Sequence, residues 1–557
     1  MGVCDTKNIS ETNNNKNREE NYLPGEQYFN KVIDINPNMF PYSKNSRDKI
    51  DLFFALYNVI NPNLAYSFSI TIINNVKLNI DTYLGDLENR SGNNIEFGKA
   101  FSVDYFFQRE QCLIIEPKIN NNNTGHAKKI RLSDLIRTLD KKMEINFENI
   151  GILVITFKQK NIGETPSQNQ LSSFQFTFNL KNNLFNPNNL SGLFFVIYNS
   201  DNGKKRPLYK SQEISSRNSI FQSNIITLPL DLLCNNNDKN TPIYLALFLP
   251  HLQQNKPIGE GNFNLNVLEY NLNMDKLSKI DLYGNKYGHL GTVQINYDET
   301  IKLTFLDYLS KGMQINLDIA IDYTASNNEN PISLHNISQR SQNDYEKAIY
   351  SCGSILAFYD YDKLFPVYGF GGIPQGPGNP SNLVSHCFNI NFQNDPNLKG
   401  IDNILATYRQ SLGKVTLAGP TFFTPVIDKV IGEIKYDLEN NQEENHYYVL
   451  LILTDGVIND MQQTCDKIVE ASYLPLSIII VGIGNADFSL MDILDGDKYP
   501  LKNSRGELRK RDIVQFVKFE DFKVNNAIDS GTDLTEEVLK EIPTQVEEYY
   551  EKCGKFY

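Results

Sequence analysis

An acid followed by two hydroxyl residues at alternate positions closes the segment Ile315-Asn-Leu-Asp-Ile-Ala-Ile-Asp322-Tyr-Thr324-Ala-Ser326. Side chains at i, i+2 and i+4 of an extended segment point the same way, so Asp322, Thr324 and Ser326 can set three oxygens around one point. Three hard oxygens suit Mg2+ or Mn2+, which take octahedral shells of carboxylate, hydroxyl and water oxygens, and the stretch offers no softer nitrogen or sulfur ligand. The same residue types also cap helices and build turns for their own hydrogen-bonding reasons, so the pattern alone leaves a capped turn open. Two further groups stand where a parallel sheet would deliver them. Asp455, in Thr454-Asp455-Gly456, follows an apolar run, and Thr421, in Gly419-Pro-Thr421-Phe-Phe-Thr424, precedes a helical pattern.

The elements that position these groups are legible around them. Ile315, Leu317, Ile319 and Ile321 alternate as in a strand. After Gly312, helical spacing begins at Asp344, again over 400–412, again at Thr424 as cap with Pro425 in the first turn, and over 460–472. Between these lie the strand-like runs Lys363-Leu-Phe-Pro-Val-Tyr-Gly-Phe370, Tyr448-Val-Leu-Leu-Ile-Leu453 and Leu476-Ser-Ile-Ile-Ile-Val481. Near-continuous apolar strands between amphipathic helices predict a doubly wound, Rossmann-like α/β domain over 307–552, with ligands at the carboxyl ends of its strands. Pro543 interrupts the last helix, near 535–550.

Upstream the texture is all-β. Short strand-like runs such as Leu52-Phe-Phe-Ala-Leu-Tyr57, Tyr66-Ser-Phe-Ser-Ile-Thr-Ile72 and Ile152-Leu-Val-Ile-Thr-Phe157, separated by Asn and Gly clusters, predict a sandwich over 27–160. A second block over 161–306, with Leu193-Phe-Phe-Val-Ile-Tyr198 and Ile243-Tyr-Leu-Ala-Leu-Phe-Leu249, repeats the pattern as an internal duplication would. Asn tracts at 120–123 and 235–237 read as loop insertions. The first residues, Met1-Gly2-Val3-Cys4-Asp5-Thr6, fit an N-myristoylation pattern at Gly2, with Cys4 placed for a second, reversible acyl chain. One acyl chain holds a membrane only marginally and two hold it stably. Residues 1–26 would then be a flexible tether.

A chain of 557 residues has room for three to five domains, of which three are expected here. Its formal net charge of −13 argues against a nucleic-acid partner. Seven scattered cysteines without a C-x-x-C pair suggest neither a zinc ribbon nor a disulfide framework. The longest apolar run, Leu476-Ser-Ile-Ile-Ile-Val-Gly-Ile, is well short of the roughly 20 residues that span a bilayer. The expected location is cytoplasmic and peripheral, on the plasma membrane or other membranes.

The order D-x-[ST]-x-S, a loop threonine, then [ST]-D-G resembles the metal-ion-dependent adhesion site of von Willebrand factor A domains. The surrounding text resembles copines: Phe305-Leu-Asp-Tyr, Ile319-Ala-Ile-Asp-Tyr-Thr-Ala-Ser-Asn, Val384-Ser-His-Cys-Phe, Leu450-Leu-Ile-Leu-Thr-Asp-Gly-Val-Ile and Arg511-Asp-Ile-Val-Gln-Phe-Val. The resemblance runs from about 305 to 550. It implies two C2-type sandwiches ahead of a von Willebrand factor A-type domain, calcium-responsive binding to phospholipid membranes, and capture of a partner protein through a carboxylate at the metal. Asp322, Ser326 and Thr421 would then be direct or near-direct ligands, with Thr324 and Asp455 acting through water.

Departures from the family pattern qualify the calcium response. A calcium-binding C2 domain presents about five apical aspartates, including a D-x-D. The matching places read Ile114-Ile-Glu116-Pro-Lys-Ile-Asn and Leu247-Phe-Leu-Pro-His251-Leu-Gln, and Asp51 is the one candidate apical aspartate of the first block. Calcium at the C2-like blocks is therefore expected to be weak, leaving acylation to carry most membrane attachment. The expected activity is non-enzymatic. The competing reading is a metal-dependent phosphohydrolase with Asp322 as nucleophile, in which Thr324 stands where such enzymes place a second acid. Gly482-x-Gly484 lacks the third glycine of a dinucleotide site, Gly369-Phe-Gly-Gly372 has no following G-K-[ST], and His386 beside Cys387 reads as an ordinary fold pair.

Overall fold

The computed structural model describes residues 47–553 apart from 75–82, 85–86, 121, 125, 161–169, 182–191, 202–203, 214–219, 235–237, 250–255, 302, 329–331, 376–378, 380–382, 442–444, 497–499 and 524–529. Gly2, Cys4, the tether, the Asn tract at 235–237 and His251 lie outside the described residues.

In the first β block, Ile50, Leu52, Phe54 and Leu56 are buried while Asp51, Phe53 and Ala55 between them are half-exposed, the alternation of a strand with one face on a core. That strand, Arg47–Tyr57, is the centre of an antiparallel five-stranded sheet, between Asn94–Phe106 and Gly151–Lys160. A second sheet is built on Tyr66–Asn74 and Gln111–Ile119 and contributes Phe68, Ile70, Leu113 and Ile115 to the shared core. Asp51 is placed differently from the expectation of an apical site. It sits within the ladder opposite Ser102 and Lys158, and its carboxylate accepts the Ser102 hydroxyl. The extended stretch begins several residues before the apolar run, at Arg47, which turns Asp51 from a loop residue into a strand residue. Glu116 likewise lies mid-strand, opposite Ser69.

The second β block is also antiparallel. Its strands follow one continuous path in which Gly259–Phe263 meets Ser278–Gly284 through a single pair, Glu260 with Tyr283. Phe174, Phe176, Phe178, Phe195 and Phe263 pack its core, with ring centroids 5.3–6.3 Å apart.

The remaining chain builds a sheet with five parallel strands in the order Leu364–Phe370, Gln314–Asp322, His446–Thr454, Leu476–Gly482, Val514–Lys518. Ile315, Leu317, Ile319 and Ile321 point to one face, where the helices Asp344–Leu356, Ile401–Ser411 and Ser530–Leu539 pack. Ala320, Leu450 and Ile452 point to the other, against Thr424–Asn440 and Met461–Ala471. Pro543 starts a second helix, Ile542–Lys552, because a proline's fixed φ and missing N–H suit a first turn. The capping expected of Thr424 differs. Asp460, from the loop after His446–Thr454, accepts from Phe423 N at 3.1 Å and Thr424 N at 2.9 Å, so a carboxylate from another loop satisfies the free donors of that helix and leaves Thr424 inside it.

The chain forms two compact units, and their limits do not follow the change of texture along the sequence. Glu164–Lys302 belongs to one, whereas Asn45–Gly163 and Leu303–Tyr557 together make the other. Within the second unit the first β block and the α/β part share one core. Phe107 packs edge-on against Phe305 at 4.9 Å and against Tyr359 at 4.7 Å, and the Tyr105 and Tyr359 hydroxyls are hydrogen-bonded to each other. Lys141 pairs with Asp307 at 2.5 Å, Arg109 pairs with Glu536, and Arg137 donates to Phe358 O at 2.5 Å. Beside them Thr304 Oγ1 donates to Gln159 Oε1 at 2.6 Å, and Gln159 Nε2 donates to Asp48 Oδ1 at 2.7 Å.

Burial, with Asp307 nearby, pushes the Asp48 carboxyl up from 3.8 to about 6 despite the Gln159 donor. A carboxyl whose folded pKa is raised contributes stability that is complete below pH 4 and is lost as pH rises through about 6. Asp48→Asn keeps the acceptor for Gln159 and removes the charge. It is expected to match wild type in urea midpoint at pH 4 and to exceed it at pH 7.5. The difference is bounded at about 2 kcal/mol because part of the residue reaches solvent. Equal midpoints at both pH values would refute this account of the junction.

Candidate metal centre

The parallel register sets the first two oxygen donors. Gln314–Asp322 and His446–Thr454 are adjacent parallel strands, and their carboxyl ends bring Asp322 beside Thr454 and Asp455. The chain does not continue extended beyond Asp322, as the i, i+2, i+4 reading assumed. Thr324 forms a bridge to Ala418, and Ala325–Asn328 is a single 3-10 turn that brings Ser326 round to the same point. The cause is local: Thr324 N donates to Asp322 Oδ1 at 2.8 Å and Ala325 N donates to Ala418 O at 2.6 Å, so the backbone bends around the acid. The same Ala418 begins the loop carrying Thr421. That loop is fastened to the one after Asp455, since Thr421 N donates to Asn459 Oδ1 and Asn459 N donates to Thr421 O, each at 2.9 Å.

All five expected residues meet. Asp455 Oδ1 accepts from Ser326 Oγ at 2.9 Å and from Thr324 Oγ1 at 3.4 Å, and the two hydroxyls are 2.9 Å apart. Asp322 Oδ2 accepts from Thr454 Oγ1 at 2.6 Å. Gly456 fixes the remaining side: a Cβ there would lie 2.9 Å from Thr421 Oγ1, 3.5 Å from Ser326 Oγ and 3.9 Å from Asp322 Oδ2. The glycine is thus the floor of a cradle that these three oxygens surround. Asp322, Thr324, Thr421 and Asp455 are buried and Ser326 is half-buried, which leaves the hydroxyl side as the approach.

The charge in this pocket is poorly compensated. Burial holds the Asp322 carboxyl above its ordinary range against donors that pull it down, and Asp455 is held well above that range by burial and then by repulsion from Asp322. Neither has an ion-pair partner among the described residues, and burial leads the causes acting on both. Two buried like charges ringed by three hydroxyls fit a small divalent cation, which neutralises both and takes hydroxyl oxygens as ligands. Among the described residues no three His, Cys, Asp or Glu side chains gather as a ligand set, so any ion here relies on neutral oxygens for most of its shell.

Three supporting residues escape the sequence pattern. Asn327 Nδ2 donates to Asp455 Oδ1 at 2.8 Å, and Asn327 Oδ1 accepts from Tyr345 OH at 2.8 Å. His335 Nε2 lies 2.9 Å from Asp322 O and Nδ1 2.8 Å from Tyr408 OH, its ring stacked between Tyr323 and Tyr345. Burial lowers the His335 pKa to about 4, so it is a neutral brace behind the strand end. A buried amide directly after D-x-T-x-S was the available signal for Asn327. His335 and Tyr345 become visible only once the 3-10 turn is known. The His386 ring packs tilted against Phe422, with centroids 4.6 Å apart.

A family model described as Copine matches residues 333–555, a span that contains Thr421 and Asp455 and begins after Asp322, Thr324 and Ser326. The chain is copine-like over that region. Among solved structures it is similar to BON1-C2B, at 17% identity over 24% of this chain and 94% of that one, TM-score 0.19. It is similar to the manganese-loaded Plasmodium vivax TRAP protein, at 13% identity over 37% and 70%, TM-score 0.24. A third is the calcium-bound pair of C2 domains of Extended-Synaptotagmin 2, at 9% identity over 46% and 98%, TM-score 0.17.

Gly456→Ala should displace the Thr421 hydroxyl while leaving the sheet intact. The expected result is a melting temperature within a few degrees of wild type without metal, and loss of most of the upward shift that Mn2+ gives wild type. An undiminished Mn2+ shift in the variant would show that Thr421 takes no part.

Proposed function

We propose that this protein is a copine-like, membrane-associated adaptor whose α/β part captures a partner protein through Mg2+ or Mn2+ held by Asp322, Thr324, Ser326, Thr421 and Asp455. The observation that carries the reading is the convergence of two buried carboxylates, without an ion-pair partner among the described residues, with three hydroxyls at the carboxyl ends of the strands. When bound, the ion supplies a positive centre that a carboxylate from outside can approach. The chain's own groups hold and orient it: Thr454 and the Thr324 amide fix Asp322, and the Thr324 and Ser326 hydroxyls hold Asp455. With two carboxylates and neutral oxygens the assembly keeps positive character, which favours an acidic residue of the partner.

Membrane attachment is assigned to the C2-like blocks, to acylation at Gly2 and Cys4, or to both, with a weakened calcium response. Calcium needs six to eight oxygens, several from carboxylates. At the end of the first block formed by loops 58–65, 92–93 and 148–150 together with Asn120, the described residues supply Asn58, Asn61, Asn63, Asn93, Asn120 and Asn149 but one carboxylate, Glu148. A phosphohydrolase reading draws little support from the site. Thr324 stands where a second acid would be needed and cannot protonate a leaving group as a carboxylic acid would.

Asp322→Ala should abolish Mn2+-dependent capture of an acidic partner while the far-ultraviolet circular dichroism stays unchanged. Loss of fold together with binding would instead make Asp322 a structural residue. In lipid co-sedimentation, Gly2→Ala should remove most binding to phosphatidylserine vesicles with or without calcium. Strong calcium-dependent binding that survives Gly2→Ala would overturn the assignment.

A further inference from the structure

The face of the parallel sheet that lies under the helix Thr424–Asn440 carries one acid among Ala320, Leu450 and Ile452. Asp318 sits mid-strand on that face, 3% exposed and in register with Leu450 of the adjacent strand. Ala320 pairs with Tyr368 and Asn316 with Tyr448, so a phenol flanks the acid on either side. Both phenols bond to the helix instead. Tyr368 OH donates to Glu433 Oε1 at 2.7 Å and Oε2 at 2.9 Å, and Tyr448 OH donates to Asp437 Oδ2 at 2.7 Å, which also lies 2.9 Å from His446 Nδ1. Lys429, one turn before Glu433, pairs with it at 3.0 Å. The nearby donors are thus taken by the helix acids, and among the described residues no hydrogen bond holds the Asp318 carboxyl.

A carboxylate enclosed without donors or a counter-ion takes up a proton rather than keep its charge. The groups that face Asp318 favour that outcome. From the helix, Glu433 repels a charge there, and Lys429, half-exposed and tied to Glu433, offsets it only in part. Asp360, behind the helix Asp344–Leu356, repels it too, although burial pushes that acid itself up to about 6. Tyr368 and Tyr448 bring no charge, because burial holds both phenols well above their usual range, and Cys387 beside Glu433 stays a thiol, pushed up to about 11 by burial. Burial first, then Glu433 and Asp360, hold the Asp318 carboxyl well above the ordinary carboxylate range.

We propose that Asp318 is a proton-operated latch beneath the helix Thr424–Asn440: the helix seats over the neutral acid, and loss of the proton lets it lift from the sheet. Lifting brings water to the carboxyl, whose pKa returns to about 4, so above that pH each opening releases one proton to solvent. The stability that the latch contributes is complete below about pH 4 and is lost as pH rises to the raised value of the closed state. One proton per opening makes the open form about tenfold more populated for each pH unit in that window. The helix follows directly on the loop of Thr421, so the same motion slackens that loop.

Hydrogen exchange of the full chain tests this, followed by mass spectrometry on peptides covering Thr424–Asn440 and corrected for the intrinsic pH dependence of exchange. Wild-type protection in that helix should fall about tenfold per pH unit above about pH 5 until the raised value is reached. Asp318→Asn, neutral at every pH, should lose this dependence. Glu433→Gln keeps an acceptor for Tyr368 and removes the repelling charge, so the fall should end at a lower pH than in wild type; if Asp318→Asn does not fold, this shift decides alone. The latch is overturned by a wild-type helix without the slope, by an equal slope in Asp318→Asn, by an unmoved end point in Glu433→Gln, or by the same slope in Asp344–Leu356 on the opposite face of the sheet, which would mark a global opening.

Discussion

Two carboxylates enclosed in one pocket, without an ion-pair partner among the described residues, set the terms for the rest of the α/β part. Burying one charge is expensive and burying a second beside it more so, unless donors or a counter-ion compensate. Every element near the pocket supplies such compensation. The strand end offers the Thr324 amide to Asp322, the adjacent strand offers the Thr454 hydroxyl, and the 3-10 turn brings Ser326 and Asn327 to Asp455. Donors lower the cost but cannot cancel the like charge, and the remaining imbalance is what a bound cation would relieve.

Holding that pocket open is work for the scaffold. A parallel sheet delivers Asp322 and Asp455 together because neighbouring strands end in register, while Thr421 arrives on a loop with no such guarantee. Its position is secured by the reciprocal bonds to Asn459 and by Asp460, which takes the free N–H groups of the helix Thr424–Asn440. One carboxylate thus both caps a helix and fixes a site loop. At the opposite end of the sheet strands, the first β block closes over Phe305 and Tyr359, so those aromatics count as core only when both parts are present.

The parallel sheet, the helices on its two faces and all five oxygen-bearing residues were readable, because apolar periodicity and strand-end motifs are local properties. What was not readable depended on pairs of distant segments. The Asp460 cap on Thr424, the Tyr345 hydroxyl on Asn327 and the Tyr105–Tyr359 contact each join residues tens to hundreds of positions apart, and no single stretch encodes them. Asp51 failed for a different reason: a strand that starts five residues before its apolar run reassigns a loop acid to the ladder, and boundaries are where pattern reading is weakest. The grouping of Asn45–Gly163 with Leu303–Tyr557 was likewise hidden, since texture marks where a chain changes style rather than which blocks share a core.

The distribution of acids has a consequence for how cations would act on this protein. Amide oxygens can complete a calcium shell but cannot supply its charge, and the described loops at one end of the first block are rich in asparagine around Glu148. At the α/β site the reverse holds: charge is concentrated in two acids and the neighbouring oxygens are hydroxyls, which would suit a small ion at short range. A small ion demands near-octahedral geometry and dehydrates reluctantly, so it tolerates water-held positions that a larger ion would fill with further protein oxygens. The Asn327–Asp455 bond suits such a site, because it orders one acid without adding a charge.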